Sequence, residues 1–145
     1  MARKRRPVQK QRRVDYWTLA ELRYQIRRFL RVRETAARGA GIEPQQYFLL
    51  LQAKGLQGRR TVTLGTLAER LQLRHHSTVE LVDRLVRRGM VARRTDDRDR
   101  RTVLVELQPA GEAMLKRLAL HSLSELRTEA PALVSALRRL TRQRR

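Results

Sequence analysis

The segment from residue 67 to residue 111 most constrains the fold, because its order of patterns fits one supersecondary arrangement. It reads LAERLQLRHHSTVELVDRLVRRGMVARRTDDRDRRTVLVELQPAG. This order predicts a short helix, a tight connection, a second amphipathic helix ended by Gly89, and two strands around a charged tip. We therefore expect a helix-turn-helix followed by a β-hairpin. The buried face of the second helix is predicted from three- and four-residue spacing, at Val79, Val82, Leu85 and Val86.

The polar side chains of this second helix are expected to point away from the core. They are His75, His76, Thr78, Glu80 and Arg84. A helix that exposes short polar donors and acceptors in its first turns is suited to reading base edges in a major groove. A metal ion at His75 and His76 is disfavoured, because adjacent helical residues point about 100° apart and no cysteine or close carboxylate completes a tetrahedral site.

The charge balance indicates a polyanionic partner. The chain has 145 residues, with 34 Lys and Arg against 14 Asp and Glu, and a formal net charge of +20. Most of the basic residues are arginine, whose planar fork matches phosphates and guanine edges, although codon usage in a GC-rich genome would also explain the excess. Cysteine is absent, which excludes disulfides and thiolate metal sites. We expect a cytoplasmic location, since the sequence shows neither a membrane span nor a secretory signal.

The expected fold class is mainly α with a small β-hairpin wing, that is, a winged helix-turn-helix domain flanked by N- and C-terminal dimerisation helices. Residues 1–14 are predicted to be a disordered basic tail, which either follows a DNA backbone or stays solvated. Residues 15–145 form a single domain, in which residues 44–108 are the DNA-binding lobe. Within this lobe PQQYFLLLQAKG predicts a central buried helix, and TVTL is a candidate third strand.

Residues 15–43 and 109–145 are predicted to carry the dimerisation helices. The first helix is predicted over 15–38, a fifth begins near Pro109 and a sixth at Pro131. The arginines expected on the solvated surface of the first helix are Arg23, Arg27, Arg28, Arg31 and Arg33. These helices have more apolar positions than one small core can bury, so they either pair across a two-fold axis, which we favour, or pack back on their own domain. A dimer would place two reading helices about one DNA turn, ~34 Å, apart and demand a near-palindromic site.

The sequence also resembles a known family, the MarR-type winged-helix transcription regulators. The resemblance rests on LAERLQLRHHSTVELVDRLVRRGMVARR, on D-x-R at Asp99 and Arg101, and on P-x-G at Pro109 and Gly111, and it spans about residues 15 to 142. It implies a homodimer built by the first, fifth and sixth helices, with the fourth helix in the major groove and a wing arginine in the minor groove. The DNA-binding positions it implies are His75, His76, Ser77, Thr78, Glu80, Arg84, Arg98, Asp99, Arg100 and Arg101.

The resemblance further implies a repressor that releases double-stranded DNA when a small phenolic or other aromatic acid binds between the dimer helices and the DNA-binding lobe. The candidate lining of this effector pocket is aromatic, although aromatic residues at helical spacing are more often core, and consists of Trp17, Tyr24, Tyr47 and Phe48. No paired carboxylate, phosphate-binding loop or nucleophile beside a base points to an enzyme, and we expect no cofactor and no metal.

Other functions are compatible with parts of the sequence. An architectural protein that coats DNA with low sequence specificity is the main alternative, favoured by the basic tail and the net charge. RNA binding is disfavoured, because the sequence lacks the interleaved aromatics that stack unpaired bases. Arg101 is expected to enter a minor groove while Asp99 holds its guanidinium, the alternative being an ordinary charged hairpin tip.

Overall fold

The computed structural model describes residues 13–142 of the chain. The predicted disordered tail over 1–14 therefore lies almost entirely outside the described residues. The described part is mainly helical with one antiparallel hairpin, which confirms the predicted fold class. Its elements are α1 Tyr16–Gly39, α2 Pro44–Leu56, α3 Leu64–Leu71, α4 His75–Arg87, β1 Val91–Thr95, β2 Val103–Leu107 and α5 Pro109–Thr141. Among residues 13–142, no helix is both long and apolar enough to cross a bilayer.

The helix α2 is the centre of the fold. It contacts α1, α3, α4, α5 and β2, so it links the α1–α5 pair to the helix-turn-helix and the hairpin. Its inward side supplies much of the hydrophobic core, with Tyr47, Leu49, Leu50, Ala53 and Leu56 buried. The prediction of a central helix is confirmed, although Phe48 and Leu51 stay exposed on the outer side of α2.

The helix α1 begins with a side-chain cap. The Asp15 carboxylate accepts the backbone N–H of Thr18 at 3.0 Å and its hydroxyl at 2.7 Å. Nε of Arg139, near the end of α5, donates to the same carboxylate at 3.1 Å. The hydrogen bonds from Thr18 and the nearby Arg139 charge lower the pKa of Asp15 below its ordinary value. The cap thus also joins the first turn of α1 to the last turns of α5.

The prediction of separate fifth and sixth helices is wrong. A single helix, α5, runs from Pro109 to Thr141 with Pro131 inside it. Proline lacks an N–H, so Pro131 removes the hydrogen bond to the carbonyl of Arg127 four residues earlier. Both residues are exposed, which leaves that region open to water, and α1 packs along α5. The helix therefore continues through the proline, and the flanking lobe consists of α1 and α5.

The hairpin pairs Val91 with Leu107 at its base and Thr95 with Val103 near its tip. The TVTL segment adds one isolated bridge, between Thr63 and Leu104, in place of the expected third strand. Val62 accepts the backbone N–H of Val105 at 2.9 Å beside this bridge. The wing is therefore anchored to the start of α3 by a short contact.

Candidate nucleic-acid interface

The connection between α3 and α4 sets the direction of α4, the candidate recognition helix. Gln72 caps α3 in the left-handed region with φ of 54°, and the N–H of Leu73 donates to the Ala68 carbonyl at 3.0 Å. A left-handed conformation costs a non-glycine residue roughly 1–2 kcal/mol. The Gln72 side-chain amide donates to the Glu69 carbonyl at 2.8 Å and so satisfies an end carbonyl of α3. The turn then leads directly into α4 at His75.

The buried face of α4 differs from the predicted one by a rotation of about one residue. Leu81, Val82 and Leu85 are buried as a group, whereas Val79 is only half-buried and Val86 is exposed. The prediction that Thr78 points away from the core is wrong, since its side chain is fully buried. Its hydroxyl donates to the Arg74 carbonyl at 3.0 Å, which satisfies the polar group and makes burial possible.

The remaining polar positions of α4 are placed as predicted. His75, His76, Glu80 and Arg84 are exposed, and Ser77 is half-buried. Arg87 is also exposed and is absent from the predicted set, although it follows Glu80 by seven residues and so shares its side of the helix. Arg87 could have been found from that spacing alone. The side of α4 opposite its core is therefore lined by ionisable side chains.

Two of the three acidic residues at the wing tip, Asp96 and Asp99, hold it through the backbone. Asp96 accepts the N–H of Arg98 at 3.0 Å, and Asp99 accepts the N–H of Arg101 at 3.0 Å. Asp99 also accepts the Thr102 hydroxyl at 3.3 Å. The expectation that Asp99 holds the Arg101 guanidinium is therefore corrected, because the carboxylate fixes the turn and leaves the arginine side chain exposed.

The wing arginines differ in whether they already have a protein partner. Over residues 13–142, Arg98, Arg100 and Arg101 form no salt bridge. By contrast, Arg93 on β1 pairs with Asp83 of α4, and Arg94 pairs across the hairpin with Glu106 at 2.8 Å. The tip thus presents cations without a salt-bridge partner in residues 13–142, whereas the base of the wing is joined to α4.

A second link ties the end of α4 to the rest of the molecule. The Arg88 guanidinium donates to the buried Gln46 side chain at 3.0 Å and to the Gly41 carbonyl at 2.8 Å. These partners lie on α2 and in the loop between α1 and α2. Neither Arg88 nor the Arg93–Asp83 pair belongs to the predicted set. The partners of Arg88 lie 42 and 47 residues away, and Arg93 and Asp83 lie on different elements, so no local pattern marks them.

The aromatic side chains assigned to an effector pocket differ in their exposure. Trp17, Tyr24 and Phe48 are exposed, whereas Tyr47 is buried in the core, where burial raises the pKa of its phenol. An open groove of about 410 Å³ lies instead between α1 and α5. It is lined by Arg31, Val32, Thr35, Ala36, His121 and Glu125. None of the four aromatic residues lines this groove.

Part of the chain matches a known protein family, and its fold matches solved structures. Residues 40–102, which include α2, the helix-turn-helix, β1 and the wing tip, match the model of the MarR family. A search of curated proteins finds no match. The fold is similar to that of apo MarR from E. coli, with 20% identity, a TM-score of 0.69, and coverage of 90% of this chain and 98% of that one.

Two further solved structures share the fold. A mutant of S. aureus MepR bound to an oligodeoxyribonucleotide has 20% identity and a TM-score of 0.62, with coverage of 85% of this chain and 84% of that one. Bordetella bronchiseptica BpsR, in a structure concerning regulation of its DNA binding by 6-hydroxynicotinic acid, has 22% identity and a TM-score of 0.60. That match covers 84% of this chain and 91% of the BpsR chain.

Proposed function

We propose that this chain, whose residues 40–102 match the model of the MarR family, is a DNA-binding transcription regulator of that family and acts as a dimeric repressor of a near-palindromic operator. The observation that carries the proposal is the exposed polar face of α4 beside a wing whose tip arginines have no salt-bridge partner in residues 13–142. Side chains such as His76, Glu80 and Arg84 would read base edges in a major groove. The wing arginines would enter the neighbouring minor groove.

Selection of bound sequences from a random DNA pool tests this function. We expect a near-palindrome whose half-sites are about one helical turn apart, bound on the order of a thousandfold more tightly than random duplex at the same salt. A uniform affinity for all duplexes that falls steeply with salt would instead support the architectural alternative. In that case the net charge of +20, and not the face of α4, would determine binding.

The selected operator then tests the wing. Arg101→Ala should weaken operator binding by about 1–3 kcal/mol, roughly 5- to 150-fold, since one minor-groove contact is lost. The fold should not change, because the exposed Arg101 side chain forms no hydrogen bond or salt bridge within residues 13–142. Arg127→Ala, which removes an exposed arginine on α5, is the matched control and should retain operator affinity. Equal affinities for the two variants would argue against the role of the wing.

The homodimer is proposed from apolar side chains left exposed on the α1–α5 pair. Leu19, Ile26 and Leu30 on α1 are 42%, 42% and 50% exposed, and α5 adds four more exposed apolar residues. Those on α5 are Leu120, Leu123, Val134 and Leu137. Exposed apolar side chains gathered on two packed helices commonly mark an interface, and a two-fold axis would let the two copies cover each other.

Sedimentation of the purified chain tests the dimer. We expect a species of twice the 17.1 kDa chain mass at micromolar concentration, and a shift to the monomer in Ile26→Glu, which places a charge in the apolar interface. Leu51→Glu changes a comparably exposed leucine on α2, outside this patch, and should remain dimeric. A wild-type chain that sediments as a monomer would exclude the dimer and with it the two half-sites.

We further propose that a small aromatic acid relieves the repression. The α1–α5 groove supports it, because Val32 and Ala36 offer apolar contact and Arg31 offers a cation for a carboxylate. In BpsR, DNA binding is regulated by 6-hydroxynicotinic acid, which belongs to the same chemical class. The operator assay repeated with that acid and with simple benzoic acids should show release from the operator, and Arg31→Gln should reduce the effect.

A further inference from the structure

We propose that the outer face of α1 is a second nucleic-acid-binding surface, distinct from α4 and the wing, which holds a single strand. The α1 outer face consists of two aromatic residues and three arginines, Trp17, Tyr24, Arg27, Arg28 and Arg31. All five side chains are exposed. This binding would be additional to the proposed operator recognition and does not depend on it.

Helical spacing brings these five residues to one side of α1. Tyr24 follows Trp17 by seven residues and precedes Arg28 by four and Arg31 by seven, which are the intervals that align side chains along a helix. The opposite side of α1 meets α5, where Arg33 bonds to Ser122 and Glu129. The α1 outer face therefore points away from these buried contacts, with Arg31 at the edge that borders the α1–α5 groove.

Its aromatic members are unusually open. Trp17 is 73% exposed and Tyr24 is 57% exposed, although large aromatic side chains are normally among the most buried on average. Stacking on unpaired bases gives such side chains a partner of any sequence, because every base has a flat π face. The bases of a duplex are already stacked on each other, so this surface favours a single strand over a double helix.

The arginines supply the matching positive charge for phosphates. None of Arg27, Arg28 and Arg31 forms a salt bridge within the described range 13–142. Glu34, the carboxylate nearest to them in sequence, forms no salt bridge within residues 13–142, and Glu21 accepts a hydrogen bond from Gln25 at 2.8 Å. Aromatic residues interleaved with arginines along one track are typical of single-strand binding surfaces.

A second copy of the chain is a poor occupant of the α1 outer face. A two-fold interface centred there would oppose arginines with the same arginines, and like charges brought together are repulsive. The apolar patch proposed for the dimer uses Leu19, Ile26 and Leu30, which lie on another side of α1. In the sequence, RNA binding was disfavoured because aromatic residues interleaved with basic ones were not recognised. The exposed Trp17 and Tyr24 among the arginines of α1 remove this objection for a single strand.

The single tryptophan of the chain gives a direct probe, because Trp17 lies within the proposed surface. Full-length protein is titrated with an oligothymidylate of about 15 nucleotides, within the site sizes common for such surfaces. We expect quenching of Trp17 fluorescence that saturates, as bases stack on the indole. Trp17→Ala, followed by the anisotropy of a labelled oligonucleotide, should weaken binding by about 5- to 100-fold.

The arginines are tested by their effect on salt dependence. The triple variant Arg27→Gln, Arg28→Gln, Arg31→Gln should reduce the slope of log affinity against log salt for the single strand by about 2, at roughly 0.7 per phosphate contact. A control triple, Arg59→Gln, Lys116→Gln, Arg127→Gln, removes the same charge from exposed positions elsewhere and should change the slope much less. Operator affinity should stay unchanged in the double variant Arg27→Gln, Arg28→Gln, which leaves Arg31 of the α1–α5 groove in place, whereas Arg101→Ala should lower only operator affinity.

Three results would overturn the proposal. The first is that acrylamide fails to quench the fluorescence of Trp17 in the free protein, which would mean that a second copy covers the α1 outer face. The second is an oligothymidylate titration with no change in Trp17 emission. The third is an equal loss of single-strand affinity in the outer-face and control triples, which would reduce the binding to net charge.

Discussion

Replacing Arg33 with alanine should lower the free energy of unfolding by about 3–5 kcal/mol, because it leaves Glu129 as an unpaired charge in a nearly closed contact. The two side chains are only 10% and 12% exposed and their charged ends are 2.5 Å apart. Urea unfolding followed by circular dichroism measures the change. Protein-wide loss of stability is expected, since the pair joins α1 to α5 and α5 carries part of the core.

The bonds around Arg33 explain why the effect should be large. Its guanidinium also donates to the Phe29 carbonyl and the Ser122 hydroxyl, each at 3.0 Å, and to the Ser122 carbonyl at 3.1 Å. The Arg33 Cζ lies 3.6 Å from the centre of the Phe29 ring, within cation–π distance. The truncation therefore removes a charged partner, several hydrogen bonds and packing at once.

A double substitution separates the charge effect from the packing effect. Arg33→Met with Glu129→Leu replaces the pair by apolar side chains, and such replacements are often neutral or stabilising. We expect it to recover most of the stability lost in Arg33→Ala. If the double variant is as unstable as the single one, the loss comes from packing and hydrogen bonds with Ser122, and the ion pair contributes little.

Arg33 also shows where sequence analysis reaches its limit. The periodicity of α1 predicted a surface arginine, whereas its partners Ser122 and Glu129 lie 89 and 96 residues away. A buried arginine is acceptable only when distant groups meet it, and no local pattern contains that information. The helix-turn-helix, the wing and the central α2 were predictable, because each depends on apolar spacing and turn residues within one segment.

The exposed side of α4 was only partly predictable for a related reason. The spacing of apolar residues predicted the existence of α4 and the exposure of His76, Glu80 and Arg84. It placed the boundary of the buried face incorrectly, because Thr78 was counted as an outward polar residue. Its hydroxyl donates to the Arg74 carbonyl, so the Thr78 side chain can be buried. Pro131 was likewise read as a helix start, although packing along α1 carries α5 through it.

Gly111→Ala should destabilise the protein by about 3 kcal/mol, at the upper end of the cost of overpacking. Gly111 is buried in the first turn of α5, and a Cβ there would lie 3.0 Å from the Met90 carbonyl carbon and closer still to its oxygen. That oxygen already accepts the Gln108 N–H at 2.9 Å, so it has little freedom to move. Urea or thermal unfolding of the variant gives the measurement.

The sign of the change in unfolding free energy distinguishes a steric contact at Gly111 from helix propensity. Within a helix, alanine is favoured over glycine by roughly 1 kcal/mol, so propensity alone predicts that Gly111→Ala stabilises the protein. Gly55→Ala in α2 is the matched control, since a Cβ at Gly55 would meet nothing within 4 Å and should raise stability by up to about 1 kcal/mol. Opposite signs for the two substitutions would assign the cost to backbone contact at Met90. A neutral or stabilising Gly111→Ala would mean that α5 can move away from the residue that precedes β1, and that the wing is not positioned by this contact.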